Sequence, residues 1–384
     1  MSGQIIDSLT NKPIPYVNIS VQNSPRGTAS NENGEFILPL VKEDDMLIFS
    51  HLSYRRDSLP TALVIKSRQI RLVAAIVSLP SVTVGNYAAD LIKNAYHQIK
   101  KSNAVKYYGK AFYRQTTLVE NEATEIQEII WDAKSCNSQL DGTSINEARY
   151  AAKDAPMRFS NFSLYTKIMS IYNDTEDSTT SDRLLNLNPG KYYHLELANI
   201  VKDQDNEVAE IVFTSKPNPD MPPKKGIIYI DINTSAVIKY KASIFDMGGG
   251  VIVSKSSIKA KNPVWEVEMN FQPMRGALTK LDYIKISFSF DIDRKSKSDK
   301  NVKVSSFSFF YDSNQQPLAA IKYTDIRMSK NPQEEDRDLI KKANYNPDFW
   351  LNNPVIKRTP LEESIIKSFE EKGSFGTMFS QKSK

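Results

Sequence analysis

The sequence predicts a mainly β protein: a small N-terminal β-sandwich, a linking helix, and one large curved antiparallel sheet, a partly open barrel, with a C-terminal helix. Three observations carry this. Short alternating apolar segments separated by turn residues fill the first 85 positions. One apolar stripe at helical spacing follows. From Tyr107 onward, long stretches of period-two alternation come in hairpin pairs. At 384 residues the chain has room for two such domains, each with its own core. The expected division is 1–85 for the sandwich, 86–103 for the helix, 104–335 for the large sheet, and 336–384 for a C-terminal segment with a helix at about 360–372.

The first strand is Gly3 to Asp7, followed by a turn stiffened by Pro13 and Pro15, and an alternating strand from Tyr16 to Val21. Asn33-Gly34 is a hairpin signal into a third strand around Phe36. Met46–Ser50 and Leu52–Tyr54 continue the unit, and Ile70–Val73 and Val82–Val84 are expected to supply its last strands. Ala88, Leu91, Ile92, Ala95 and Ile99 then share one helix face, with Asn86 as N-cap and Lys100-Lys101 at the negative C-terminal end. His97, about 180° from Ala88 at 100° per residue, should face water.

In the sheet region, Leu195–Val201 with Val208–Phe213, Ile228–Ile232 with Ile238–Ile244, and Ile284–Ile292 with Val302–Tyr311 read as three hairpins. The last crosses a charged tip, Arg294 to Lys300, and Asp174–Asp182 reads as an exposed polar loop. Near the C-terminus, Thr359-Pro360-Leu361-Glu362 spells N-cap, N1 proline and capping-box glutamate. Leu361, Ile365, Ile366 and Phe369 form the stripe of that helix, and Gly373 stops it, with fraying expected beyond.

Composition narrows the function. Fifty basic against 45 acidic residues give a net charge of +5, small and scattered, which argues against nucleic acid as a partner. The longest apolar run, Leu72–Val77, is too short to span a bilayer. Cys136 is the single cysteine, so no intrachain disulfide can form.

Catalytic signatures are missing. His51, His97 and His194 begin no zinc-binding motif, so neither a metal nor another cofactor is expected. Cys136 has no histidine near it in sequence, and no nucleophile elbow occurs. Gly248-Gly249-Gly250 lies between strands and reads as a hairpin or bulge. Asp203–Glu207 lacks the glycine and the twelfth-position glutamate of a calcium loop, since Thr214 stands there, and reads as a solvated hairpin tip. No carboxylate pair is singled out for glycosidase chemistry. Tyr113 and Arg114 are the candidate ligand-binding residues. Arg114 could hold an anion or stack on an aromatic ring in the concavity of the sheet, or it could pair with a carboxylate where helix meets sheet. Trp350 reads as an apolar latch for the C-terminal segment.

Residues 3–84 resemble the carboxypeptidase regulatory-like domain, a small transthyretin-like β-sandwich common in Bacteroidetes envelope proteins. The resemblance is carried by Gly3–Asp7, Thr10–Pro15, Tyr16–Val21, Gly27–Asn31, Gly34–Phe36 and Met46–Tyr54, with Ser53 where the family usually has glycine. Phe112-Tyr113-Arg114 and Asn346–Trp350 stand in the order and spacing seen where this domain is joined to a larger β domain. Gly226–Asp231 is similar, more loosely, to strands of periplasmic lipoprotein-carrier-like folds.

The resemblance implies a periplasmic or outer-membrane-associated protein. No leader precedes the first strand, so a removed signal sequence is expected. The leading expectation is a non-catalytic binding or scaffold protein with an envelope protein as partner. The alternatives are a carrier of a lipid or other apolar ligand in the curved sheet, and a hydrolase whose site assembles in space.

Overall fold

A computed structural model describes the chain except for residues 79–85, 156, 160, 173–182, 204–205, 248–258, 275, 294–298, 318–320, 325–335, 343–344, 353–354 and 378–384. The expectations for Val82–Val84, the loop 174–182 and Gly248–Gly250 fall there, as do residues 204–205 and 294–298 of the two tips; Asp203 and Asn206 pair with each other, so the first tip closes a hairpin as read.

The N-terminal module contains β1 (Ser2–Asp7), β2 (Asn18–Val21), β3 (Gly27–Ala29), β4 (Glu35–Ile37), β5 (Met46–His51), β6 (Tyr54–Pro60), α1 (Thr61–Ser67) and β7 (Gln69–Leu72). These strands form two sheets, β4-β1-β7 and β3-β2-β5-β6, around a core that includes Ile5, Ile19, Phe36, Leu47, Phe49 and Ile70. The Asn33-Gly34 turn is present. Gly34 sits at φ 69°, and a Cβ there would come within 2.4 Å of the Ile5 carbonyl oxygen, so only glycine fits. The turn does not close a hairpin, however. β3 pairs with β2 and β4 with β1, so it carries the chain from one sheet to the other. Turn chemistry specifies a local reversal, whereas the choice of partner strand follows from where Phe36 must be buried.

β8 (Ile76–Ser78) leaves the sandwich and pairs antiparallel with a strand of the large sheet. α2 (Tyr87–Ser102) follows and buries Ala88, Leu91, Ile92, Ala95 and Ile99 as its stripe requires. Asn86 occupies the N-cap position, but its side chain makes no capping bond; its carbonyl accepts the Asp90 N–H at 2.9 Å.

The remaining strands are β9 (Tyr107–Val119), β10 (Glu122–Ser135) and β11 (Leu140–Ala152), then β12 (Tyr193–Asp203), β13 (Asn206–Ser215), β14 (Lys224–Asp231), β15 (Val237–Phe245), β16 (Lys259–Pro273), β17 (Thr279–Asp293) and β18 (Lys300–Asn314). Helices α3 (Ser163–Ile168) and α4 (Pro189–Tyr192) lie between β11 and β12. The sheet is one antiparallel array ordered β11-β10-β9-β18-β17-β16-β15-β14-β13-β12-β8, not closed into a barrel. It consists of two meanders joined by the β9–β18 pair. β11 and β12 therefore lie toward opposite ends of the array, and the chain between them must cross the sheet.

That crossing fills the inner face. Phe159, Phe162 and Tyr165 meet Trp265 and Phe290 there, with Phe162 and Trp265 stacked at 5.9 Å between ring centroids. The α2 stripe shares the same buried cluster with Ile211, Phe213 and Ile228. Aromatic and aliphatic burial on this scale is the main stabilising term of the domain.

The outer face receives the sandwich and the C-terminal segment, which holds α5 (Asp336–Lys342), α6 (Pro347–Asn352), α7 (Pro360–Glu370) and α8 (Ser374–Thr377). The capping box of α7 forms as read: Thr359 accepts from the Glu362 N–H at 3.2 Å and Glu362 accepts from the Thr359 N–H at 2.8 Å. The fraying expected after Gly373 is not found at α8. Phe375 is buried beside Phe369, because burying a second aromatic ring outweighs the entropy of ordering one more turn.

Candidate functional site

Strict alternation in β9 sends Tyr113 and Arg114 to opposite faces. Tyr113 points into the inner core, where its hydroxyl donates to Gln115 Oε1 at 2.9 Å and its ring lies against Trp131. Arg114 points outward and is buried at 7% exposure. It donates to Glu128 Oε1 at 2.7 Å and to Glu362 Oε1 on α7 at 2.8 Å. The structure therefore does not bring the two candidates together, and both are engaged within the chain.

Arg114 belongs to a row that the strand register draws straight across the outer face. Arg149, Glu128, Arg114, Phe307, Lys285, Glu268 and Lys241 stand opposite one another on successive strands. At one end Glu128 bridges Arg114 and Arg149, and Glu370 of α7 also reaches Arg149 at 3.1 Å. The Arg149 guanidinium lies between the rings of Trp350 and Phe375, at 4.8 and 4.5 Å. Burial alone would raise the Glu128 pKa, but the two guanidiniums hold it down to about 2. Trp350 is thus the latch its position suggested.

At the other end the row is open. Glu268 takes Lys239 at 2.6 Å, Lys241 at 3.2 Å and the Tyr283 hydroxyl at 2.5 Å. Between the two ends sits the sandwich, where Lys285 donates to Tyr16 Oη at 2.7 Å and pairs with Glu32 at 3.1 Å. Tyr16 stacks on Phe307 at 5.3 Å.

Beside this dock, β2 and β5 face β12–β17 across a cavity of about 220 Å³. Asn18, Ser50, His51, Asn270 and Gln272 are among its lining residues. Asp282 lies at the seam with 3% exposure and accepts an amide N–H from Asn18 at 2.5 Å and another from Asn270 at 2.8 Å. Burial raises its pKa. Burial, together with the Lys239 charge, pushes His51 down to about 4, so its ring is neutral at physiological pH. Sequence reading missed this site because its residues come from several strands of both modules. The one local sign was Asp282 between the apolar Leu281 and Tyr283.

The other candidates are scattered. His97 and His194 are exposed, on α2 and β12. Cys136 is fully buried and donates to Asn103 Oδ1 at 3.0 Å; burial pushes its thiol pKa up, the reverse of an activated thiolate. Among the described residues, no group of three or more His, Cys, Asp or Glu side chains is placed to hold a metal ion. No described helix is long and apolar enough to cross a membrane.

Residues 1–84 match the family model of the CarboxypepD_reg-like domain, in agreement with the resemblance read from the strands and turns. No curated protein matches the chain. Among solved structures, a DUF1329 family protein from Desulfovibrio piger aligns over 65% of this chain and 99% of its own, at 6% identity and a TM-score of 0.27.

Proposed function

We propose that this is a non-catalytic binding or scaffold protein of the cell envelope, periplasmic or associated with the outer membrane, that acts through protein interactions of its N-terminal module and of the strand that leaves it. The observation that carries the reading is where apolar surface remains open. Among the described residues, twelve large apolar side chains are exposed, and seven of them lie within residues 1–78. Three, Val73, Ile76 and Val77, follow one another into β8, the last strand of the large sheet. Ile76 and Val77 are 55% and 60% exposed and, as neighbours in a strand, point to opposite sides. Among the described residues β8 has one unpaired edge, and a short apolar strand of this kind is a template for an added strand from a partner. The envelope placement rests on the resemblance of residues 3–84.

The carrier alternative needs open apolar space on the inner face. Among the described residues that face is packed by α2 and by the aromatic side chains of the crossing segment.

A photo-crosslinking residue at Val77 in the full chain, expressed in its own envelope, tests the proposal. A discrete protein adduct from Val77, abolished by Ile76→Lys, is the expected result. Absence of any protein adduct from Val77 and from Leu63 on α1 would overturn it.

A further inference from the structure

The cavity at the seam has a chemistry of its own. Asp282 receives N–H donors from two amides, one in each module, and this orients both side chains. The amide oxygens are the ends left over, and Asn18 Oδ1 has no partner among the described residues. Ser50 and Gln272 add a hydroxyl and a further amide, while Leu52 and Ile238 supply apolar surface. His51 Nδ1 accepts the Ser53 N–H at 3.2 Å, which leaves the proton of the neutral ring on Nε2 as a donor.

Size and polarity together limit the occupant. The cleft offers about 220 Å³ and opens to solvent on one side, enough to seat one compact ring with the rest of a larger molecule left outside. A purely apolar molecule would leave the amides unpaired at a cost. Charge does not select an ion: both Asp282 oxygens are engaged by the amides, and the lining carries Arg56 and Asp231 rather than a cluster of one sign. What fits is a compact, uncharged molecule dense in hydroxyl groups, with one C–H face.

We propose that the seam between the two modules binds a single neutral sugar ring. Asn18, Ser50, His51, Asn270 and Gln272 would bond its hydroxyls, and Leu52 and Ile238 would pack against its C–H face. The ring could be a free monosaccharide or the terminal unit of a glycan, since both present the same hydroxyls.

Saturation-transfer NMR on the full chain, with a panel of neutral monosaccharides, their oligosaccharides and a glycyl dipeptide, tests this. Saturable binding of a sugar is expected, weakened about tenfold by Gln272→Leu or Ser50→Val with the melting temperature unchanged. Neither substitution touches the Asp282 bonds. Binding only of oligosaccharides, through their end residue, assigns the glycan source; binding of monosaccharides alone assigns the free sugar. No saturable sugar binding, preference for the dipeptide, or sugar binding indifferent to both substitutions would overturn the proposal. Gln272 and Ser50 lie off β8, so this site and the edge-strand reading can fail independently.

Discussion

Glu125 and Glu128 lie on the same strand, β10, and both are buried, at 0% and 1% exposure, yet they face opposite sides of the sheet. Glu125 looks inward and is held by neutral donors: Tyr150 Oη at 2.7 Å, Thr117 Oγ1 at 2.8 Å and the Phe159 N–H at 2.8 Å. Burial there wins, and its pKa is raised. Glu128 looks outward between two guanidiniums, and charge pairing wins. The same residue at the same depth thus serves two purposes. Inside, it satisfies polar groups around an aromatic core. Outside, it fixes the position of the C-terminal segment through Arg114, Arg149, Glu362 and Glu370. The two faces differ in neighbours rather than in burial.

The sharpest way to break this contrast is Glu128→Gln. The change keeps the shape but takes from two buried arginines the carboxylate they share, leaving each with one partner on α7, and should cost about 3 kcal/mol in urea unfolding. Because the folded-state pKa of Glu128 lies below its ordinary value of 4.5, its contribution is present above that value and is lost as pH falls through about 2. The deficit of the variant should therefore shrink on acidification.

Glu125→Gln should cost less, about 1–2 kcal/mol for one imperfect hydrogen bond. Its sign with pH is opposite. With a raised folded-state pKa, the contribution of Glu125 is complete below its ordinary value and is lost as pH rises through the folded one. The gap between this variant and the parent should then narrow as pH rises. Parallel pH trends for the two variants would refute the contrast.

Thr359→Ala tests how far the outer network relies on α7 being in place. Loss of the capping box should cost about 1 kcal/mol. Hydrogen exchange should rise in α7 while β10 stays protected, because the Glu128 bridge between Arg114 and Arg149 does not need the cap.

The local elements were legible in the residues themselves. The α2 stripe, the Thr359–Glu362 capping box, the Gly34 turn and the paired strands from Tyr193 onward all follow from periodicity and turn chemistry, which act over a few residues. Tertiary structure decided the partners. Only the fold shows that Asn33-Gly34 switches sheets, that β8 joins the large sheet, and that β18 returns to β9. It also decided the candidate site, bringing Asn18 and Asp282 to 2.5 Å across 264 positions of sequence. The physical reason is that alternation encodes which face a side chain takes, but not what waits on that face. Alternation places Tyr113 and Arg114 on opposite faces, but not which face is the inner one; Arg114 lies outside, away from the concavity, and Glu128, Glu362 and the seam beside Tyr16 meet it only once distant strands have paired.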